Sequence, residues 1–492
     1  MTYAPAAIEK FGGLRLSTDP ADVSLEQSLA GVNCALGPDR SFLRSRDGTV
    51  RLGAAGAMTG DICQRLIPTL GAGSAEVLLA VARTVSTIYL DSYDTTGAVT
   101  ALANWSSSRL FNDAVSIGLP AAQVVYIATS GATLRKHTLG VVATGTGKPK
   151  YVSVTPTSNR LVQAHYLAAA DSPSGANGTR NTVFFSDAGD PDTYQPNNYV
   201  MLQPGDGSDI RGIASWGRQV FVFKEADMFV FSGESIDATG QPVFDYRAVS
   251  LPSLVTPEIP GYGQVVASGA LGVYYVGVDG IYRTTGGPPV KVSGALSEGF
   301  RVGGAVRPHS LSAVGQRVLI QQSGTIWELD ERHGEWMARQ YPQFGDTFEA
   351  PWVQWPAFEG VGNWDTETLF YGGGSTLLYT SGNLDTDDGA AVATSYQSGY
   401  GDLGAPGIKR LRQSVLAGTG SVRYSVGWDY AALDAGAVVS LGPGPEASYW
   451  MDRMSRRGRL LSFGLSATGG RWRVNSIQLQ LGPSRSPAKM VA

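Results

Sequence analysis

Six arginines near the C-terminus hold the densest chemistry in this chain: Arg453, Arg456, Arg457 and Arg459, then Arg471 and Arg473 on either side of Trp472. A guanidinium is a planar fork of N–H donors, so such density suits phosphates or the carboxylates of another protein surface. A solvated strand face is the plainer reading, because arginine also lays its methylenes over apolar neighbours. These six are the candidates for an inter-subunit interface. A second group is aromatic: Trp327, Trp336, Trp352, Trp355 and Trp364 crowd one short stretch. Tryptophans can line a sugar cleft, but they also staple packed sheets, and packing is the reading favoured here.

The remaining searches for an active site return little. His137, His165, His309 and His333 lie far apart, with neither HExxH nor His-x-His spacing, so metal ligation would need long-range convergence. Gly145-Thr146-Gly147-Lys148 invites a phosphate loop, yet Pro149 stands where the Mg²⁺-binding hydroxyl belongs and Val142 where the first glycine belongs. Asp385, Asp387, Asp388 and Gly389 faintly resemble a calcium loop without its closing glutamate, so a solvated linker is expected. Ser186-Asp187-Ala188-Gly189 reads as a structural turn. No GxSxG elbow occurs. No catalytic residue, cofactor or metal is therefore expected.

The elements that must position these residues follow from composition and pattern. With 63 glycines and 26 prolines among 492 residues, and only 16 % charged residues, long helices are excluded. A 43 % hydrophobic content excludes disorder. Apolar runs recur as strand–turn–strand units at 77–91, 124–137, 160–187, 218–233, 272–287, 317–336 and 369–383. Gly280 and Gly324 are placed to supply positive φ in two of these turns. Repetition every ~40–55 residues predicts radial blades rather than Greek keys. The expected fold is all-β: an N-terminal arm or platform segment over 1–60, a β-propeller of six or seven blades over 61–390, and a C-terminal antiparallel β-sandwich over 391–492. A pair of β-sandwiches is the alternative for the central region.

Charge divides at the glycine-rich stretch 385–407. Residues 405–492 hold twelve Lys/Arg and four acids, about +8, so the overall −4 leaves about −12 on the first 404 residues. Such asymmetry predicts two kinds of partner. Cys34 and Cys63 make no disulfide framework, which fits folding in a cytoplasm. The first residues lack a basic start and apolar core, so no signal peptide is expected, and no run is long enough for a membrane-spanning helix.

One stretch, 181–233, is more specific. It runs Phe185-Ser186-Asp187, Asp190-Pro191, Pro204-Gly205-Asp206-Gly207, then Ile210 through Trp216, and Val222-Phe223-Lys224 before a strand. This pattern resembles the tail nozzle or hub proteins of short-tailed bacteriophages, the tubular tail and packaged-DNA stabilisation type. Phe42 to Gly48 and the closing stretch 456–482 are similar to the same proteins. The resemblance implies a non-enzymatic virion protein of the tail, assembled in the host bacterial cytoplasm. It further implies six copies forming a ring below the portal and adaptor ring, a propeller on each subunit, docking of fibres or spikes, and a lumen through which viral DNA passes without sequence-specific contact. A glycan-binding or glycan-cleaving propeller at the tail tip is the alternative.

Overall fold

The computed structural model describes residues 6–16, 22–54, 57–60, 62–71, 73, 75–84, 87–106, 111–118, 122–129, 132–236, 242–257, 265–296, 301–302, 305–306, 310–322, 325–340, 353–354, 369–373, 376–381, 386–387, 389–402, 408–442, 447–450 and 458–483. Among them the chain is nearly all β, and its blades form a β-propeller. Six blades stand as sheets of their own. Five are four-stranded antiparallel meanders at 62–106, 111–144, 151–201, 212–250 and 266–291. The sixth is built from 353–354, 369–373 and 376–381, completed by the N-terminal strand Gly48–Arg51. A further four-strand unit at 310–340 fills the place between 291 and 353, and its last strand runs on into a fourteen-stranded sheet. First strands of successive units touch in sequence order, and the last touches the first, closing a ring. In that order the units are blades 1 to 7, with 310–340 as blade 6.

The middle strands explain why the hairpins were legible. Gly272–Gly277 is buried at all six positions and Val77–Ala82 likewise, because each blade is covered on both faces by its neighbours. A strand covered on both sides loses alternation and reads as one apolar run. Outer strands regain water: Val141–Thr144 is largely exposed. Gly280 differs from expectation. It keeps a negative φ, and its role is spatial, since a Cβ there would lie 2.5 Å from Lys291 Cε and Ser293 Oγ. Gly324 lies outside the described residues.

The C-terminal strands form the expected sandwich around a single 20-residue strand, Lys409–Trp428. Its first half pairs with Trp472–Pro483 and Ala447–Trp450, its second with Leu461–Ala467 and Ala437–Leu441. Leu411, Leu416, Val422, Tyr424, Val426, Phe463, Val474 and Ile477 close over one core. The N-terminal segment is shared between the two bodies. Ala6–Ile8 and Leu43–Ser45 pair with Trp472–Pro483, and Ser28–Val32 with Thr394–Ser398. Gly48–Arg51 then enters blade 7.

Candidate functional site

The six candidate arginines do not form one patch. Arg453, Arg456 and Arg457 lie outside the described residues. Arg471 and Arg473 open the strand that pairs with Leu43–Ser45, where Arg473 stands opposite Arg44. The Arg473 guanidinium lies 3.7 Å from the centre of the Phe42 ring, and its Nε donates to Asn475 Oδ1 at 2.7 Å. Arg471 Nη2 is 3.6 Å from Asp47 Oδ1. Arg459 sits beyond the far end of the seven-residue strand Leu461–Ala467, roughly 25 Å away at the ordinary rise per residue. There its backbone N–H donates to Asp429 Oδ1 at 2.9 Å.

Around Arg471 the fold adds arginines that sequence reasoning missed. Arg44 grips Asp47 through two N–H groups at 2.6 and 3.2 Å. Burial works to raise the Asp47 carboxyl, but Arg44, with Arg339 and Arg471 behind it, holds it below the usual carboxylate range. A narrow crevice beside them, between blade 6 and Cys34–Leu36, is lined by Arg44, Arg317, Arg332 and Arg339 with Glu328 and Asp330. Arg317 Nη1 meets Glu328 at 3.2 Å, and Arg339 takes the other carboxylate oxygen. These side chains come from strands some 300 positions apart in sequence, which is why no local spacing announced them. What the cluster can do is pair carboxylates and hold two bodies together.

A second node ties the N-terminal arm to blade 7. Arg46, fully buried, forms a two-pronged ion pair with Asp387, and also donates to Asn33 Oδ1 at 2.9 Å and to the carbonyls of Asp47 and Gln340 at 2.8 and 3.0 Å. Thr49 Oγ1 adds a bond to Asp387 at 3.1 Å. The expectation of a solvated linker fails at Asp387, which is 2 % exposed. Burial of a carboxylate requires such a partner.

The residues behind the family resemblance also converge. Lys224 is buried, and its ammonium donates to Asp206 Oδ2 at 2.5 Å and to the carbonyls of Leu202 and Gln203 at 3.1 and 3.4 Å. The Val-Phe-Lys strand thus latches the Pro-Gly-Asp-Gly loop. Ser186 Oγ accepts from Leu161 N at 2.8 Å, and Asp187 accepts from Gln195 and Asn198, making a turn of the kind expected. Trp336 is fully buried with Nε1 donating to Val292 O at 2.9 Å, so it packs; Trp352, Trp355 and Trp364 lie outside the described residues.

The histidines are dispersed. His165 Nδ1 bonds Ile210 O at 3.1 Å, and burial, aided by Lys150, pushes its pKa down to about 4. His137 is buried and held below its ordinary value by desolvation. His333 contacts Asp330 at 3.2 Å, and His309 lies outside the described residues. Lys148 of the glycine-rich stretch pairs with Asp171 at 2.7 Å. Burial pushes the Cys34 thiol up to about 12, so it is a packed, unreactive sulfur. Among the described residues no three His, Cys, Asp or Glu side chains are grouped to hold a metal ion.

No family model matches the chain, and no curated protein matches it. Solved structures give weak likenesses. Raptor from Chaetomium thermophilum aligns at a TM-score of 0.44 and 10 % identity over 72 % of this chain and 29 % of that one. PorZ, a bacterial surface component of the type-IX secretion system of Porphyromonas gingivalis, aligns at 0.41 and 11 % over 82 % and 46 %. A chain of the Mitotic Checkpoint Complex aligns at 0.38 and 11 % over 68 % and 92 %. The chain thus spans less than half the length of the first two, and its propeller fold rests on the strand pairing described above.

Proposed function

We propose that this chain is a structural subunit of a bacteriophage tail, a nozzle or hub that forms a ring below the portal and adaptor. The observation that supports this reading most is where its distinctive residues go. Asp206 and Lys224 from the motif stretch are spent on a loop latch, Arg44 from the N-terminal passage on its neighbour Asp47, and Arg46 on the joint between that segment and blade 7. That is the pattern of a building block rather than of a site for turnover. The propeller then serves as a spacer with broad loop surfaces for fibres or spikes. The basic C-terminal region docks on an acidic ring by charge complementarity. Acid on the body, where it lines a conduit, favours sliding of DNA over sticking.

The reading is tested on particles. An antibody against this chain, imaged on negatively stained virions of the phage that carries it, is expected to decorate the tail directly below the portal, in several copies. Labelling confined to the distal tip, with polysaccharide binding or cleavage by the purified chain, would favour the glycan-directed propeller instead. Labelling absent from virions would end both.

A further inference from the structure

The first strands of six blades surround a cavity of about 460 Å³ on the propeller axis. Its wall is aliphatic and hydroxylic, with Ser153, Ser215, Ser268 and Ser312 contributed by four successive blades, and two charged residues, Arg65 and Asp113. Each charged residue directly follows a β-bulge. The first ladder of blade 1 shifts register between Cys63 and Arg65, and that of blade 2 between Phe111 and Asp113. The corresponding ladders of blades 3 to 6 run without a shift. A bulge re-aims the side chain beside it.

The two charges are used differently. Asp113 is 2 % exposed, and its oxygens accept from Ala114 N at 2.8 Å and from Val152 N of blade 3 at 3.0 Å. It staples two blades. The Arg65 guanidinium has no hydrogen bond or ion pair with any described residue; Asp113 attracts it only at longer range, while burial disfavours its charge. The serines are mutually engaged. Ser153 and Ser215 hydroxyls lie 2.6 Å apart, Ser215 Oγ donates to Val154 O, and Ser268 Oγ donates to Ser215 O at 2.6 Å.

We propose that the axial cavity is a binding site for a small oxyanion of the phosphate or carboxylate type, clamped by Arg65. The half-buried Arg65 guanidinium, without a hydrogen bond or ion pair among the described residues, lies beside Leu66, Val115, Val154 and Leu311, where an ion pair is stronger than in open water. An oxyanion supplies the two acceptors that its fork lacks. Asp113 accepts from two backbone amides and acts on Arg65 only at longer range, so it leaves the fork of N–H donors unbonded.

Calorimetric titration of the full chain at low salt, with inorganic phosphate, sulfate and succinate as separate probes, tests this. At least one probe is expected to bind one to one. Arg65→Gln should weaken that binding at least about tenfold, Arg65→Lys less, and Arg218→Gln, at an exposed turn of blade 4, should leave it unchanged. Phosphate or sulfate binding without succinate assigns a tetrahedral anion; the reverse assigns a carboxylate. Unliganded thermal midpoints of both Arg65 variants check folding, and if Arg65→Gln does not fold, Arg65→Lys alone decides. Absence of binding by every probe up to about 10 mM, or equal affinity in the folded Arg65 variants, would overturn the proposal.

Discussion

At the scale of single residues, two buried groups make measurable predictions. His165 has φ +63°, is 5 % exposed, and is held neutral down to about pH 4. Between its ordinary pKa near 6.5 and that value, the unfolded chain binds a proton that the folded chain refuses, so stability falls as pH falls through this window. The loss should reach about 2 kcal/mol at pH 5 relative to neutral pH. His137, also depressed by burial, adds in the same direction. Paired carboxylates such as Asp47 have the opposite dependence on partner but the same sign: their stabilisation is present above the usual carboxylate pKa and is lost only below it. Denaturation curves at pH 7 and pH 5 should therefore show a step that His165→Asn removes in part, since asparagine tolerates the left-handed backbone. An unchanged step would exclude His165 as its source. The Lys224 latch is asymmetric, because the lysine side chain is 1 % exposed and that of Asp206 is 31 % exposed. Asp206→Ala strands a buried ammonium and should cost about 3 kcal/mol. Lys224→Met leaves a carboxylate that water can reach and should cost less, about 1–2 kcal/mol. The reverse order in urea denaturation would contradict the geometry.

At the scale of elements, the strand Gly48–Arg51 carries the closure of the ring, and the Arg46–Asp387 pair holds it there. Asp387→Ala leaves a fully buried guanidinium unpaired and should destabilise by about 3–5 kcal/mol, while Arg46→Met with Asp387→Leu should recover most of that. Amide exchange at 48–51 and 376–381 should rise in the single variant and fall back in the double. Equal exchange in all three would remove the pair from closure. The blades were legible in the sequence because strands buried on both faces read as dense apolar runs, such as Val77–Ala82 and Gly272–Gly277. The arm's destinations were not. Ser28–Val32 and Leu43–Ser45 are short, and apart from the local pairing of Leu43–Ser45 with Cys34–Leu36 their strand partners lie about 300 residues or more away, so no local period reports the pairing. The arginine junction was half legible for the same reason. Arg471 and Arg473 stood out as a cluster, whereas Arg44, Arg317 and Arg339 become neighbours only once blade 6 meets the sandwich.

At the scale of the whole molecule, an acidic body of about −12 is joined to a basic region of about +8. If that region docks on an acidic ring, association should slow as salt rises, because rim charges act mainly on encounter. Replacing Arg459, Arg471 and Arg473 by glutamine should weaken docking and flatten its salt dependence, with little change in thermal midpoint for the exposed Arg459. Unaltered docking at physiological salt would remove these three from the interface. The N-terminal arm belongs to both bodies at once, which makes propeller and sandwich parts of one unit suited to repetition around an axis. The most direct test of that claim is the mass of the purified chain, alone and mixed with a phage portal–adaptor complex, measured by mass photometry. A ring of several copies, six by the family resemblance, formed alone or on the complex, is the predicted result. A persistent monomer that ignores the complex and instead binds or cleaves polysaccharide would contradict it.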